Sequence, residues 1–394
     1  MILDFIFCLF ALVLSLRFIF KFKIFTVYDI KILKKLFWFH LLAGIGFYFF
    51  ILTSGGDATN YWFATYGFRF YELSDVFAEI SKGSATGYML LFNYIPAKVI
   101  GLSFFSGSIL YTCLGFLGFT YFYAIIKIKI PQIYELNKSK LFGIGIFPTL
   151  LFLPNLHFWS SGVGKDTLIF FCIALFFYSS LKVSKRFLGI IISIGLSFVI
   201  RPHITLFMLM ALGLGVTFDG RLKSYQKMLI ALVFAGVFVS AVNYVMNFVQ
   251  LESLNTETVD EYSNTRASNL AYKKGTSTAV DTSSYPYPLK VFTFLFRPLF
   301  FDANSVLSLV ASVENLFLLL FFIKILGNRF TKGFKRSNYL IKASGFLFLM
   351  GALSFSLILG NLGIMLRQKT PFIMMLIIFG YSTILMNKQR KQIR

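Results

Sequence analysis

FFSGSILYTCLGFLGFTYFYAII, residues 104–126, holds no charged side chain and runs straight into Lys127. A helix needs about 20 apolar residues to cross a hydrocarbon core of about 30 Å. Only a helix or a closed barrel satisfies its own backbone groups in lipid. A barrel would show alternating segments of about 10 residues, and this run does not alternate. Similar apolar runs lie on both sides of it, at 2–20, 36–53, 141–158, 166–181, 187–200, 204–218, 228–250, 305–326, 343–361 and 371–387. Together they predict an all-α polytopic integral membrane protein with about eleven crossings, in a range of about 10–12. Composition agrees: of 394 residues, 57% are hydrophobic and 14% charged, against roughly 25% charged in soluble domains. The mean hydropathy is +0.75.

The formal charge of +22 invites a nucleic-acid reading, but its distribution excludes one. Most Lys and Arg fall in six segments: Arg17–Lys35, Lys127–Lys140, Lys182–Arg186, Arg221–Lys227, Lys324–Lys342 and the tail from Lys388. Asp29, Glu135 and the adjoining Asp219 are the acids among them, and acids and bases nearly balance elsewhere. By the positive-inside rule all six segments face the cytoplasm, where they meet anionic lipid. The N-terminal run has its first cation, Arg17, behind it, which predicts an uncleaved helix with its N-terminus outside. An odd number of crossings then puts the basic C-terminal tail inside. Cys8, Cys113 and Cys172 lie in apolar runs and read as small buried hydrophobes.

Two apolar stretches do not fit as crossings. Residues 86–103 carry Pro96 and Lys98, and residues 292–304 include LFRPLFFDAN. Both read as interfacial or re-entrant helices on the outer face. The chain is expected to be one transmembrane domain, 1–394, with large external loops at 54–86 and 251–291. The second loop is rich in Ser, Thr, Asn and Tyr and long enough for a lid or a linker.

The unusual polar residues gather on the predicted outer side. IRPHITL, 200–206, joins two runs of about 14 and 15 residues, each only about 21–23 Å long. The turn carrying Arg201 and His203 should then lie below the membrane surface, where ions need a cavity or a partner. In LHFWSSGVGKDTL, 156–168, small residues precede Lys165 and Asp166 at a predicted helix start, a place that favours anions. With Arg297, Arg367 and Lys369 these cations could form an electropositive external pocket for phosphate or pyrophosphate. Asp57, on the Gly-rich turn of GGDATNYW, is the candidate general base, with His203 second. The alternative role for Asp57 is capping a helix that starts at Ala58. Tyr61, Trp62, Tyr66 and Trp159 could stack on sugar rings or belong to an interfacial aromatic belt. Asp302 and Glu314 are further acidic candidates. No metal-ligand spacing is visible, so no metal and no cofactor are expected.

The order GDATNYW, LPNLHFWSSGVGKDTL, IRPHITL, LFRPLFFDANSVLSLVASVEN and GNLGIMLRQKTPF resembles multi-spanning polysaccharide polymerases of the Wzy type and their EpsG-like relatives. More remotely it is similar to GT-C glycosyltransferases. The resemblance implies joining of glycan repeat units carried on polyprenyl pyrophosphate, at the outer face of the bacterial cytoplasmic membrane, in capsule, exopolysaccharide or O-antigen synthesis. Donor and acceptor would be polyprenyl-linked glycans, with membrane lipids and other polysaccharide-assembly proteins as further partners and no nucleic acid. It assigns Asp57 to the first external loop's acid and Arg201, Arg297 and Arg367 to the lipid phosphates. One departure stands out: GT-C proteins pair two acids in that loop, whereas Ala58 follows Asp57, which favours a metal-independent polymerase. Alternatives are a GT-C-type transferase adding one sugar from a polyprenyl phosphate, and a lipid-linked oligosaccharide flippase. Transporters commonly carry internal repeats, and none is visible here.

Overall fold

The computed structural model describes residues 2–64, 72–220, 222–249, 278–282, 284–327 and 330–388, with 261, 265, 268 and 269. In chain order the helices are α1 (Ile2–Phe18), α2 (Val27–Ser54), α3 (Asp57–Phe63), α4 (Leu73–Ser81), α5 (Ala85–Asn93), α6 (Phe104–Lys129), α7 (Ile146–Thr149), α8 (Pro154–Phe158) and α9 (Lys165–Ser179). They continue with α10 (Val183–Ile200), α11 (Pro202–Thr217), α12 (Ser224–Val249), α13 (Tyr287–Phe296), α14 (Val306–Leu326), α15 (Phe330–Arg336), α16 (Tyr339–Ile358) and α17 (Leu362–Lys388). A two-residue hairpin, β1 (Lys140–Leu141) with β2 (Ile144–Gly145), is the one sheet among the described residues. Seven described helices are long and apolar enough to cross a membrane: Ile2–Lys21, Val27–Ser54, Phe104–Lys129, Val183–Ile200, Val306–Leu326, Tyr339–Ile358 and Leu362–Met386. The chain is an all-α membrane protein.

Several expected boundaries move, each for a local reason. The run at 141–158 is not one helix. Gly143 at φ +80° turns the hairpin, Pro148 and Pro154 lack amide donors, and the segment breaks into α7, a 3-10 turn and α8. The second crossing begins at Val27 rather than 36, because Thr26 and Asp29 form a reciprocal capping box. α10 spans Val183–Ile200 but is kinked at Arg186, at φ −132° and ψ 24°, so its regular part begins at 187 as expected. The last span begins at Leu362, not 371. Pro371 lies inside it, so Arg367 and Lys369 are helical residues rather than loop residues. The stretch at 86–103 is α5 followed by a π-helical segment, Tyr94–Val99. The loop 54–86 contains α3 and α4, while most of 251–291, like Tyr66, lies outside the described residues.

The chain divides into two compact units, Met1–Ile128 with Leu156–Thr205, and Lys129–Asn155 with Leu206–Arg394. In the first, α6 is the central helix. Gly115 lets it approach so closely that a Cβ there would collide with the Ser160 carbonyl and the His40 ring. Asp29, fully buried, ties α2 to α6: its carboxylate accepts from Tyr123 OH at 2.7 Å and pairs with Lys127 Nζ at 3.1 Å. In the second, α16 and α17 pack lengthwise, and Gly351 makes room for the Phe372 ring.

Candidate functional site

In the first unit Gly55 and Gly56 have φ of +67° and +145°, a region that residues with a Cβ rarely adopt. They end α2 and start α3 within two residues. Gly56 is the N-cap and Asp57 the first helical residue, so Asp57 does not cap. Its side chain is exposed, beside the positive end of the helix. One turn on, Tyr61 and Trp62 are buried. Trp62 packs on Gly107 of α6, where any Cβ would strike the indole. Asn93 of α5 donates to the Tyr61 carbonyl at 3.3 Å and accepts from Tyr111 OH at 3.0 Å. The helix carrying Asp57 is thus clamped from two sides.

Lys165 opens α9, and its Nζ stands 5.5 Å from the centre of the Tyr61 ring. The aromatic face offers the ammonium partial compensation at a helix end that disfavours cations. Asp166 follows in the first turn and accepts from Arg201 Nη2 at 2.7 Å, with both residues buried. Arg201 is the C-cap of α10. Pro202 begins α11, and a bond of 2.7 Å between the Ser197 and Thr205 hydroxyls closes the hairpin. His203 is half-buried on the first turn of α11. The structure therefore links Tyr61 to Lys165 and Asp166 to Arg201, which the sequence scatters, with Asp57 one turn from Tyr61 on the same helix. Trp159 instead packs edge-on against Phe47, Phe50 and Phe158. Its indole Nε1 is buried and has no hydrogen-bond partner among the described residues.

A buried histidine pair escaped the sequence reading. His40 Nδ1 lies 3.0 Å from His157 Nδ1, and His40 Nε2 lies 3.1 Å from the Thr112 carbonyl. A carbonyl only accepts, so for neutral rings His40 carries its proton on Nε2 and His157 donates from Nδ1. His157 also stacks on Phe119 at 4.3 Å. A lone His within each of the apolar runs 36–53 and 141–158 was the only available signal.

In the second unit the candidate cations have partners of their own. Arg297, the C-cap of α13, makes a two-pronged ion pair with Asp302, which also accepts from the Leu299 amide at 2.9 Å. Burial pushes the Asp302 carboxyl up, but the hydrogen bonds from Arg297 and Leu299 outweigh it and hold the group below its usual range. The same pairing raises the Arg297 guanidinium. Lys369 is buried and donates to the Leu295 carbonyl at 2.8 Å, the Arg297 carbonyl at 3.5 Å and Asn315 Oδ1 at 2.7 Å. It caps the C-terminal end of α13, where a cation suits the dipole. Glu314 accepts from both the amide and the side chain of Asn155, at 2.8 and 3.1 Å. Asn155 and Asn315 were missed; an EN pair inside an apolar helix was the trace of the second. Arg367 is half-buried on α17.

Among the described residues, no three His, Cys, Asp or Glu side chains lie close enough to hold a metal ion. The first unit's cluster has an exposed carboxylate on a clamped helix, an ammonium against an aromatic face and a guanidinium fixed by an acid. Such a set can take a proton from a hydroxyl and stabilise an anion. Comparison of the chain with protein-family models, curated proteins and solved structures gave no match.

Proposed function

We propose that the protein is a metal-independent glycosyltransferase, a polymerase joining glycan repeat units carried on polyprenyl pyrophosphate. In this reading it works at the outer face of the bacterial cytoplasmic membrane, with the N-terminus outside and the C-terminus in the cytoplasm. Asp57 takes the acceptor hydroxyl's proton as the glycosidic bond forms. Lys165 stabilises the departing pyrophosphate, Arg201 fixes the start of α9 through Asp166, and the buried Tyr61 and Trp62 hold the short helix that carries Asp57. The supporting observation is that Lys165 stands over Tyr61, one helical turn from Asp57, and that Asp166 beside it fixes Arg201, all in one unit. Arg297 and Lys369 are left out of this site because Asp302 and the end of α13 engage them.

The test is incubation of the purified protein with a polyprenyl-pyrophosphate-linked repeat unit, followed by gel analysis. A ladder of repeat units is the expected product, and its loss in Asp57→Asn with unchanged thermal stability supports the site. A full ladder from Asp57→Asn overturns the site; no elongation by the wild type overturns the activity. A single added sugar points to the GT-C-type transferase. One observation favours the flippase instead: Glu314 and Lys369 lie within spanning helices, and ionisable groups there often mark a transport path. Movement of the lipid-linked glycan between leaflets without elongation would select it.

A further inference from the structure

A feature independent of the proposed chemistry lies where three of the second unit's spans end. The short helix α15, FTKGFKR, joins the C-terminal end of α14 to the N-terminal end of α16. The last turns of α17 meet it too: Ser337 Oγ lies 3.8 Å from Met386 Sδ, and Gly333 packs on Thr383. Three spanning helices end at this level, so α15 lies at the membrane boundary.

Its two faces differ. Phe330 and Phe334, one turn apart, face inward and meet the Phe379 ring at 6.0 and 6.4 Å. Lys332, Lys335 and Arg336 are exposed on the outside. Lys342 is held in the structure. Its ammonium donates to the Phe218 and Lys335 carbonyls at 2.7 and 3.3 Å and stands 5.5 Å from the Phe334 ring centre. It pins the end of α15 with Phe334 turned inward.

Just inside this boundary the helices enclose a narrow cleft of about 90 Å³, smaller than the about 300–1,000 Å³ of a small-molecule pocket and with room only for a short stretch of hydrocarbon. Phe322, Phe334, Phe346, Leu349 and Phe379 are among the lining residues, and no polar atom contributes to the wall. Leu326 and Leu349 at the rim are 51% and 46% exposed, so the cavity opens sideways between helices. A polar metabolite would find nothing to bond to inside. The segment 324–342 contains no acid and six Lys or Arg: Lys324, Arg329, Lys332, Lys335, Arg336 and Lys342. An apolar slot at chain depth beneath a basic helix at head-group depth matches an amphiphile with an anionic head.

We propose that this cleft takes part of an acyl chain of an anionic phospholipid whose phosphate sits on Lys332, Lys335 and Arg336. The test uses the full chain carrying Leu349→Trp, in bilayers containing brominated phosphatidylglycerol or brominated phosphatidylcholine at equal mole fraction. Quenching of the added indole, measured over the native Trp residues, should be at least twofold greater with phosphatidylglycerol. Adding K332Q/K335Q/R336Q should bring it down to the phosphatidylcholine level. Equal quenching by the two lipids, or no effect of the three Gln, overturns the proposal. Should Leu349→Trp disturb folding, native mass spectrometry of the otherwise unmodified chain decides. Phosphatidylglycerol adducts should survive on the wild type and vanish from the triple variant. Adducts equal in both, or a lipid-free dimer with this face buried, would overturn it.

Discussion

The candidate charges of the first unit sit at the ends of helices, whereas Glu314 and Lys369 of the second sit inside them. Asp57 and Lys165 each begin a helix, Arg201 ends one, and Asp57 is exposed. Lys369 and Glu314 lie within α17 and α14, and Lys369 gives its hydrogen bonds to two carbonyls and an asparagine. A cation held that way cannot turn to a phosphate without opening the bundle. A lysine near a sequence turn is therefore not by itself a binding group. What separates the two cases is whether the side chain's donors are already used by backbone that has no other partner.

Four measurements test this contrast. Asp57→Asn should lower elongation by about 10²-fold or more, the usual scale for a general base, and leave the thermal midpoint unchanged, since the side chain is exposed. A midpoint that falls with the activity would make Asp57 structural and erase the contrast. Arg201→Ala and Lys369→Ala should each destabilise by about 3–5 kcal/mol, because each strands buried polar groups. Denaturation in detergent reads this directly. A stable Lys369→Ala protein that has lost elongation would move the second unit's cation into the site.

Asp302→Asn should cost about 1.5 kcal/mol, the lower end for hydrogen bonds to a charged group. It should also change the acid limb. The folded-state carboxyl is depressed, so its contribution is complete above the unfolded value of about 3.9. That contribution fades as pH falls through the lower folded value. The wild type should lose stability on acidification below about pH 4, and Asp302→Asn should lack that part of the loss. Parallel pH profiles would show that the pair adds nothing. The smallest shift belongs to Lys165→Gln, about 1 kcal/mol or less for an ammonium over an aromatic ring. Elongation should fall far more than that figure implies if Lys165 holds the leaving group, and in proportion to it if the contact is only structural.

The spanning helices were the legible part of the sequence, because twenty apolar residues without a charge have few other fates. The misreadings arise where the local signal and the tertiary context disagree. Pro371 reads as a helix boundary, yet α17 continues through it, with Thr370 Oγ1 donating back to the Leu366 carbonyl at 3.1 Å. That continuation carries Arg367 and Lys369 into a helix. Conversely, residues 141–158 are apolar enough to cross, but Gly143, Pro148 and Pro154 shorten every regular piece. The meeting of Asp166 with Arg201 was invisible, since 35 residues separate them. Read alone, Arg201 suggests a phosphate ligand and Asp166 a favourable charge at a helix start; neither points to the other.

Asp29 has a mechanical corollary. With its carboxylate shared among the start of α2, Tyr123 and Lys127, it acts as a rivet at one rim of the first unit. Sliding α2 along α6 by a single turn would leave an anion without counter-charge in a dry interior. Any working motion of that unit must therefore pivot about this corner, and its amplitude must grow with distance along α2 toward the paired glycines that carry Asp57.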